Sequence, residues 1–307
     1  MRIVVLLEIA ADVRVAPECD PRSGRVRTDR LVPEIDPAGA RALDLALSLA
    51  ADRPNGQVTI IHLGPAENER FLRVALARGC ARAVRVWDEE AAAARTAGKA
   101  AVLAAAVQAA GYDLVLTGDK GVIRAAGQLG VLVAAHLGVP SITEVGAAGL
   151  SVDSHRLDAT RHLERGFRQN VEANLPVVLT VAAGAAGEAA PAAAVTARAL
   201  LAAQDEEIAV WTLADLGVVP GTVRDADRPL VPGLPGPRHP RLHPATPPDP
   251  TLPAFDRILG LVAGTVKHRE GRVVRRPADE VAREVFEVLR DEGWLDHLRP
   301  AEADGSR

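Results

Sequence analysis

The segment Leu114–Pro140, LVLTGDKGVIRAAGQLGVLVAAHLGVP, holds the residue types of this chain that are best suited to bind a ligand. A short apolar run, predicted to be a strand, ends at Thr117-Gly118 and leads into a loop of small residues. An Ala/Val/Leu-rich stretch follows, and we predict a helix that begins near Ala126 or Gly127. Because the N–H groups at a helix N-terminus point outward and the helix dipole favours negative charge, this order of elements predicts an anion site suited to a phosphate.

The loop in this segment matches neither of the common phosphate-binding motifs. It has no G-x-x-x-x-G-K-[ST] sequence and no G-x-G-x-x-G sequence. The segment therefore favours nucleotide binding without hydrolysis, and a strand-to-helix connection without a ligand is the alternative.

Few other residues have the spacing of a catalytic or metal site. No serine lies in a G-x-S-x-G sequence, so a nucleophile elbow is absent. His239 and His243 have a spacing that could hold a metal, but no acid or cysteine flanks them closely and we expect no site there. His136, in an apolar helix, is predicted to be a core residue. His62 lies at the C-terminal end of a predicted strand, where open α/β sheets bind ligands, and is a candidate contact.

The bulk properties limit the classes of function. The chain has 307 residues, 48% of them apolar, and a formal net charge of −4. This length predicts one main domain with an appendage, and the charge argues against nucleic acid as a partner. The apolar run before Glu8 is too short for a transmembrane segment or a signal peptide. Cys19 and Cys80 lack C-x-x-C spacing, which argues against a disulfide or zinc site and predicts a cytoplasmic location.

Apolar runs alternate with amphipathic helices in the first half of the chain, which predicts a parallel α/β sheet. The predicted strands are Arg2–Glu8, Val58–Leu63, Ala83–Val86, Asp113–Leu116 and Ser141–Val145. The predicted helices are 37–51 after the N-cap residue Asp36, 66–78 before Gly79, and 97–110 before Gly111.

The pattern changes after Val145. Residues 149–174 alternate between polar and apolar around Arg165-Gly166, which predicts an antiparallel hairpin, and 175–182 predict another buried strand. We expect six or seven strands in all. Residues 183–198 are predicted to be an exposed loop.

Residues 220–253 contain eleven of the chain's 22 prolines, which predicts an extended arm instead of a helix or a central strand. We therefore divide the chain into an α/β domain (1–219), a proline-rich arm (220–253) and a C-terminal helical segment (254–307). The last segment contains two predicted helices, 254–266 and 278–292. Their apolar faces are expected to pack on the main domain or on a partner.

Several of the predicted loops fall at one edge of a parallel sheet. The strand ends at Leu6–Glu8, Leu63-Gly64 and Gly118 meet there, together with the helix start at Asp36–Gly39. This arrangement predicts a crevice for an adenine nucleotide, with the phosphate at the loop 118–130.

Six blocks of sequence resemble, in order, the beta subunit of electron transfer flavoproteins, mostly within residues 1–219. GPAENERFLRVALARGCARAVRV resembles that family's G-P-x-x-x-x-E-x-L-R-x-A-L-A-x-G-A-D-R-A-x-x-V. DLVLTGDKGVIRAAGQLG resembles its D-L-V-L-x-G-K-Q-A-x-D-x-D-x-N-Q-T-G. The other four blocks are IDPAGARALDLAL, LPVVLTV, IAVWTLADLGV and REGRVVRRPADEVAREVFEVLRDEGWL.

The resemblance implies a Rossmann-like α/β fold and an electron-carrier subunit without catalytic residues of its own. Such a subunit pairs with an alpha subunit that holds most of an FAD. It accepts electrons from a dehydrogenase and passes them to the respiratory chain or another acceptor. Its own crevice holds AMP, or a second FAD in electron-bifurcating members. By position, the cofactor-binding residues would be Leu6, Asp36, Pro37, Ala38, Gly39, Leu63, Gly118, Asp119, Lys120, Gly121, Val122, Ile123, Arg124, Ala125, Ala126, Gly127, Gln128 and Leu129.

The chain departs from the family's pattern in the crevice. Asp36 stands where the family has asparagine, and Leu7-Glu8-Ile9 replaces its Val-Lys-Arg. Only Gln128 and Gly130 remain of the Asn-Gln-Thr-Gly sequence. Arg124 offers a charge-assisted hydrogen bond to a phosphate in compensation.

The loop that docks onto dehydrogenases in the family differs more strongly. Across 193–206 the family's leucine anchor becomes Ala197, and its lysines become Ala202, Gln204, Asp205 and Glu206. We therefore interpret the chain as a divergent paralogue that serves a different dehydrogenase. Its composition, rich in alanine and with more arginine than lysine, is typical of high-GC actinobacteria. There, divergent copies accompany specialised redox systems such as mycofactocin.

Two alternatives keep the fold and change the function. One is a stand-alone adenine-nucleotide-binding regulator of the universal-stress-protein type, without a redox role. The other is an assembly factor that has lost the nucleotide. The proline-rich arm with its two amphipathic helices favours a permanent partner and hence the electron carrier.

Overall fold

The structure is a computed structural model that describes residues 1–123, 125–151, 155–184, 195–219, 221, 223, 250–263 and 274–295. Residues 92, 93 and 260–263 are described by their backbone alone. The chain forms two compact units, Met1–Arg238 and His239–Arg307.

The first unit contains a nine-stranded, mostly parallel sheet, so the predicted α/β fold class is confirmed. In chain order the strands are β1 (Arg2–Leu6), β2 (Ile9–Ala11), β3 (Pro33–Ile35), β4 (Gln57–Leu63), β5 (Arg82–Val86), β6 (Leu114–Gly118), β7 (Ser141–Leu150), β8 (Arg156–His162), β9 (Arg168–Asn174), β10 (Val177–Val181) and β11 (Ile208–Trp211). The spatial order in the main sheet is β11-β5-β4-β1-β6-β10-β7-β8-β9, and β2 and β3 form a separate antiparallel pair.

The expected count of six or seven strands is too low. β8 and β9 form the predicted hairpin, which turns at Arg165 (φ 60°) and Gly166 (φ 80°). The hairpin extends the main sheet because β8 pairs with the far half of β7, which continues five residues past the predicted end at Val145. β11 adds a strand at the opposite edge, beside β5.

Six helices are described in the first unit and two in the second. They are α1 (Pro37–Ala51), α2 (Glu69–Ala77), α3 (Glu89–Ala93), α4 (Thr96–Ala110), α5 (Leu129–Leu137), α6 (Ala197–Ala202), α7 (Ala254–Ala263) and α8 (Ala278–Asp291). The helix predicted over 66–78 is a 3-10 turn at Ala66–Asn68 followed by α2. None of the helices among the described residues is both long and apolar enough to cross a membrane.

The core lies on both faces of the parallel strands, which explains their nearly continuous apolar sequences. Along β1, Ile3 and Val5 pack with α1 and α2, whereas Val4 and Leu6 pack with α4 and α5. Successive side chains of a strand point to opposite faces, so one short apolar run contributes to both layers.

The chain between 183 and 253 is described only in part. Residues 185–194 of the predicted loop 183–198 lie outside the described residues, and the helix α6 begins at Ala197 within its last part. Most of the predicted proline-rich arm, including His239 and His243, also lies outside them. The helix predicted over 254–266 is described as far as Ala263.

The order of the strands reverses between β1 and β6. From β1 the chain proceeds to β4 and β5 on one side of the sheet, and then returns to β6 on the other side. The loops after β1 and β6 therefore diverge at the carboxyl end of the sheet and leave a crevice between them. In open α/β sheets, ligands bind at such a switch point.

Candidate functional site

A crevice of about 250 Å³ lies at this switch point, as the parallel arrangement predicts. The segments after β1 and β6, the N-terminus of α1 and the first turn of α4 form its walls. Its lining residues are Glu8, Ile9, Ala10, Asp36, Thr96, Lys99, Gly118, Asp119, Gly121, Val122, Ile123, Ala126, Gly127, Gln128 and Leu129.

Residues 126–129, at the end of the loop between β6 and α5, line this crevice. Ala125 (φ 48°) and Gly127 (φ 62°) adopt the left-handed conformation, so α5 begins only at Leu129, two to three residues after the predicted start. Among the described residues, no hydrogen bond occupies the N–H groups of residues 126–131. Unpaired N–H groups at a helix N-terminus attract an anion, and the helix dipole adds to this attraction.

Asp36 is the N-cap residue of α1 and also holds the β6–α5 loop. Its Oδ1 accepts hydrogen bonds from the N–H groups of Ala38 (3.0 Å) and Gly39 (3.5 Å), and its Oδ2 accepts one from Val122 (2.8 Å). The residue is only 1% exposed. Its negative charge therefore meets three backbone donors and is largely withdrawn from a ligand in the crevice.

Gly118 allows the end of β6 to approach α1 closely. A Cβ atom at this position would lie 2.9 Å from the Cβ of Ala38 and 2.9 Å from the backbone N of Gly39. These neighbours are parts of the helix that cannot turn aside. A glycine here is therefore required for the close contact between the β6–α5 loop and α1.

A network of polar side chains anchors the first residues of the loop to the neighbouring strands. The Thr180 hydroxyl donates to Asp119 Oδ1 (2.6 Å) and accepts from the N–H of Glu144 (3.2 Å). Lys120 Nζ in turn donates to Glu144 Oε1 (2.5 Å), and this bond raises the pKa of Lys120. Lys120 is thus engaged with Glu144 and does not line the crevice.

Two charged side chains outside the β6–α5 loop line the crevice, Lys99 and Glu8. The sequence placed Glu8 at this edge of the sheet but did not indicate Lys99. Lys99 lies on α4, is half-buried and lines the crevice, where its ammonium group can neutralise a phosphate. Glu8 follows β1 and lines the opposite wall. A charge of each sign therefore faces the crevice from outside the β6–α5 loop.

A smaller cavity of about 60 Å³ shares Glu8, Ile9, Lys99 and Leu129 with the crevice and has both apolar and polar walls. Its walls include the leucines at 6, 63, 103 and 129 together with His62 and Lys99. The ring of His62 is fixed: its Nδ1 lies 2.9 Å from the carbonyl oxygen of Leu7 and its Nε2 lies 2.9 Å from the Asn68 amide nitrogen. Burial lowers its pKa to about 4, so the ring is neutral, with Nδ1–H donating and Nε2 accepting.

The structure gathers most of the predicted site residues at one place. Those that line the crevice are Asp36, Gly118, Asp119, Gly121, Val122, Ile123, Ala126, Gly127, Gln128 and Leu129. Leu6 and Leu63 line the smaller cavity. Pro37, Ala38, Gly39, Lys120 and Ala125 support these walls without lining the crevice, and Arg124 lies outside the described residues.

The remaining candidates have other environments. His136 is exposed near the end of α5, so its prediction as a core residue is wrong: the apolar residues around it cover only part of the helix surface. Cys80 is buried, and burial raises the pKa of its thiol to about 12. No group of His, Cys, Asp and Glu side chains within the described ranges has a metal-binding arrangement.

The segment predicted above to be the docking loop is described from residue 195 onward and contains the short helix α6. The Thr196 hydroxyl caps α6, and Arg73 Nη1 donates to the carbonyl oxygens of Ala203 (2.8 Å), Gln204 (2.7 Å) and Glu206 (3.1 Å). Leu201 on this helix is 64% exposed. The acidic side chains at 205–207 are exposed as well, so the surface combines an apolar residue with negative charge.

Comparisons with known proteins show which family this chain resembles. Residues 25–216 match the family model described as "Electron transfer flavoprotein domain". The "Electron transfer flavoprotein subunit beta" of Clostridium acetobutylicum is 31% identical over 71% of this chain and 81% of its own length. The protein of the same name from Mycobacterium tuberculosis (strain ATCC 25618 / H37Rv) is 28% identical over 70% of this chain and 80% of its own length. A subunit named CarD of the "Caffeyl-CoA reductase-Etf complex" of Acetobacterium woodii is 26% identical over 72% and 81%, respectively.

Proposed function

The chain belongs to the electron transfer flavoprotein family, as a beta-subunit-like member, and from this we propose that it is the nucleotide-binding half of an electron-carrying heterodimer. Its partner is an alpha subunit that holds an FAD. The complex accepts electrons from a dehydrogenase and passes them to the respiratory chain or another acceptor, in the cytoplasm.

One observation carries the nucleotide-binding part of this proposal. Residues 126–129 line the crevice, and their backbone N–H groups have no acceptor among the described residues. These groups and the ammonium of Lys99 fit a phosphate, and the adjoining smaller cavity fits part of an adenine ring. A volume of about 250 Å³ favours AMP over a second FAD within this chain, since pockets for larger ligands are usually 300 Å³ or more. The role of AMP is structural: it fills the switch point and fixes the β6–α5 loop.

The docking surface at α6 supports a partner that differs from the family's usual dehydrogenases. The exposed Leu201 offers an apolar anchor, and the acidic residues 205–207 favour a basic rim on the partner. Replacement of 193–206 by a standard family loop is expected to leave folding intact and to reduce affinity for the native donor. Unchanged affinity would contradict the assignment of this segment as the docking surface.

The C-terminal helices are proposed to contact the alpha subunit. Apolar side chains on them, including Phe255, Ile258 and Phe286, are exposed. A permanent partner that covers these apolar side chains removes them from water and thereby stabilises the complex.

The nucleotide part of the proposal is tested by the contents of the purified chain. The protein is denatured, and the released nucleotide is identified and counted by chromatography and mass spectrometry. About one AMP per chain supports the proposal. A chain that releases no nucleotide, and binds no AMP in an equilibrium titration, would contradict it and would favour the assembly factor.

A further inference from the structure

Glu144 has a strained backbone in the strand β7, close to the loop that borders the crevice. Its φ of 56° lies in the left-handed region, which residues other than glycine seldom adopt. It lies in a bulge, where residues 143 and 144 of β7 together oppose Thr180 of β10. A strained backbone of this kind persists only where the surrounding contacts stabilise it, and it is most frequent near functional sites.

The contacts of Glu144 join the bulge to the β6–α5 loop. Its backbone N–H donates to the Thr180 hydroxyl (3.2 Å), and its Oε1 accepts a hydrogen bond from Lys120 Nζ (2.5 Å). A bulge commonly redirects a side chain in this way beside a site. The strained residue is therefore held by β10 through its backbone and holds the loop through its carboxylate.

Lys120 connects Glu144 to the part of the loop that lines the crevice. A Cβ atom at Gly127 would lie 3.5 Å from Cγ and 3.6 Å from Cε of Lys120, so the aliphatic part of the lysine side chain lies beside Gly127. Gly127 has a φ of 62° and is one of residues 126–129, whose N–H groups have no acceptor among the described residues. Lys120 thus lies between the Glu144 carboxylate and the backbone that a phosphate would contact.

Asp119 gives the same network a second attachment to the sheet. Its Oδ1 accepts a hydrogen bond from the Thr180 hydroxyl (2.6 Å), and its Oδ2 lies 3.6 Å from Lys120 Nζ. The ammonium group of Lys120 therefore lies between two carboxylates, and Glu144 makes the shorter of the two contacts. Removal of the Glu144 carboxylate would leave Lys120 with the longer contact alone within this network.

We propose that Glu144 is a positioning residue for the β6–α5 loop: it holds Lys120 beside Gly127 and thereby fixes residues 126–129 where they line the crevice. Its consequence for affinity rests on the proposed binding of AMP. Glu144 does not itself line the crevice, so it acts through Lys120 and makes no contact with the nucleotide. A loop that is already fixed loses less conformational entropy when it binds a ligand, so its affinity is higher.

Two substitutions separate the carboxylate of Glu144 from its strained backbone. Glu144→Ala and Glu144→Gly both remove the carboxylate, but only glycine relaxes the left-handed φ. In urea denaturation we expect the glycine variant to be the more stable of the two. In calorimetric titration with AMP we expect both full-length chains to bind about twofold more weakly than the wild type. A residue that only supports the fold would instead lower affinity in proportion to stability.

The control and a double variant test the path through Lys120. Glu172→Ala, at an exposed glutamate of β9, is expected to bind AMP as the wild type does. The double variant Lys120→Gln/Glu144→Ala is expected to bind AMP no more weakly than Lys120→Gln alone, because the two residues act as one unit. Additive losses in the double variant, or wild-type affinity in both single variants of Glu144, would overturn the proposal.

Amide hydrogen exchange tests the positioning role without a nucleotide. The N–H of Ala125 donates to the carbonyl oxygen of Gly121 (2.8 Å) within the loop. Its exchange should be about threefold faster in Glu144→Ala and Glu144→Gly than in the wild type, because the loop opens more often. If the wild type binds no AMP, the proposed nucleotide function is wrong, whereas faster exchange in the variants still supports the role of Glu144. Exchange equal to that of the wild type in both folded variants would overturn it.

Discussion

The Oδ2 atom of Asp36 accepts a hydrogen bond from the N–H of Val122 at 2.8 Å, which joins the N-terminus of α1 to the loop at the crevice. The same carboxylate caps α1 through its other oxygen. One buried side chain therefore fixes two of the walls that a nucleotide would contact. This explains how a carboxylate is accommodated where the related pattern has an asparagine.

Removal of the Asp36 carboxylate is expected to destabilise the chain. Asp36→Ala removes the helix cap and leaves the Val122 N–H without its acceptor, at a cost of about 2 kcal/mol in the free energy of unfolding. Asp36→Asn keeps an oxygen for the cap and loses one acceptor, so we expect about half that cost. Urea denaturation measures both variants, and equal stability of Asp36→Ala and the wild type would contradict the role assigned to this residue.

Substitution of Lys99 is expected to weaken AMP binding. Lys99→Gln removes the ammonium group that lines the crevice, and affinity should fall by about tenfold, or ~1.4 kcal/mol. Lys120→Gln should have a much smaller effect, because Lys120 is paired with Glu144 outside the crevice. Isothermal titration with AMP compares the two variants, and a larger loss in Lys120→Gln would show that the phosphate lies elsewhere.

A methyl group at Gly118 is expected to separate β6 from α1. Gly118→Ala places Cβ 2.9 Å from the backbone of Gly39, so the strand or the helix must shift, and we expect a loss of about 1–3 kcal/mol. Gly149→Ala is the matched control, because a Cβ atom at that position meets nothing within 4 Å. Guanidinium denaturation gives the two free energies of unfolding, and equal values would exclude the close contact at Gly118.

The buried ring of His62 predicts a pH dependence of stability. Its pKa is about 4 in the folded chain and 6.5 in an unperturbed histidine, so the unfolded state binds the proton more readily. The contribution of His62 to the free energy of unfolding is therefore fully present above pH 6.5. It declines by about 3 kcal/mol in all as the pH falls toward 4. Denaturation of the wild type and His62→Gln between pH 7 and 4.5 measures this difference. The difference in free energy of unfolding between the two chains should become smaller as the pH falls. A difference that stays constant over this range would contradict a neutral, buried ring.

Leu201 tests the docking surface without altering the core. Because its side chain is 64% exposed, Leu201→Ala should change stability by less than about 0.5 kcal/mol. Its loss should nevertheless weaken binding of the dehydrogenase partner by about tenfold or more if it is an anchor. Leu163→Ala, at another exposed leucine in the β8–β9 turn, is the control. Equal effects of the two substitutions on partner binding would exclude the anchor.

Most strands and helices follow directly from local sequence, although the short strands β2, β3 and β11 do not. Apolar runs such as that of β1 are buried on both faces, and Asp36-Pro37 is a strong start signal for α1. The predicted start of α5 is too early because Ala126 and its neighbours have helical propensity. Tertiary contacts override that propensity: Asp119 and Val122 are held by Thr180 and Asp36, respectively.

The position of the crevice could be predicted from the sequence, but not all of the residues that line it. The order of strand, loop and helix around Gly118 indicates a crevice by general rules of α/β sheets. No sequence motif marks Lys99 as a site residue, because it reaches the crevice only through the packing of α4 on the sheet. Pairing of β8 with β9 likewise depends on a register that the hairpin pattern alone does not determine.

The most direct test of the proposed function is a native mass spectrum of the chain purified gently from its own cell. The account predicts a heterodimer that carries FAD and an additional mass equal to one AMP. A monomer or homodimer without flavin would contradict the electron-carrier role. If such a chain still bound AMP, it would be a nucleotide-binding regulator instead.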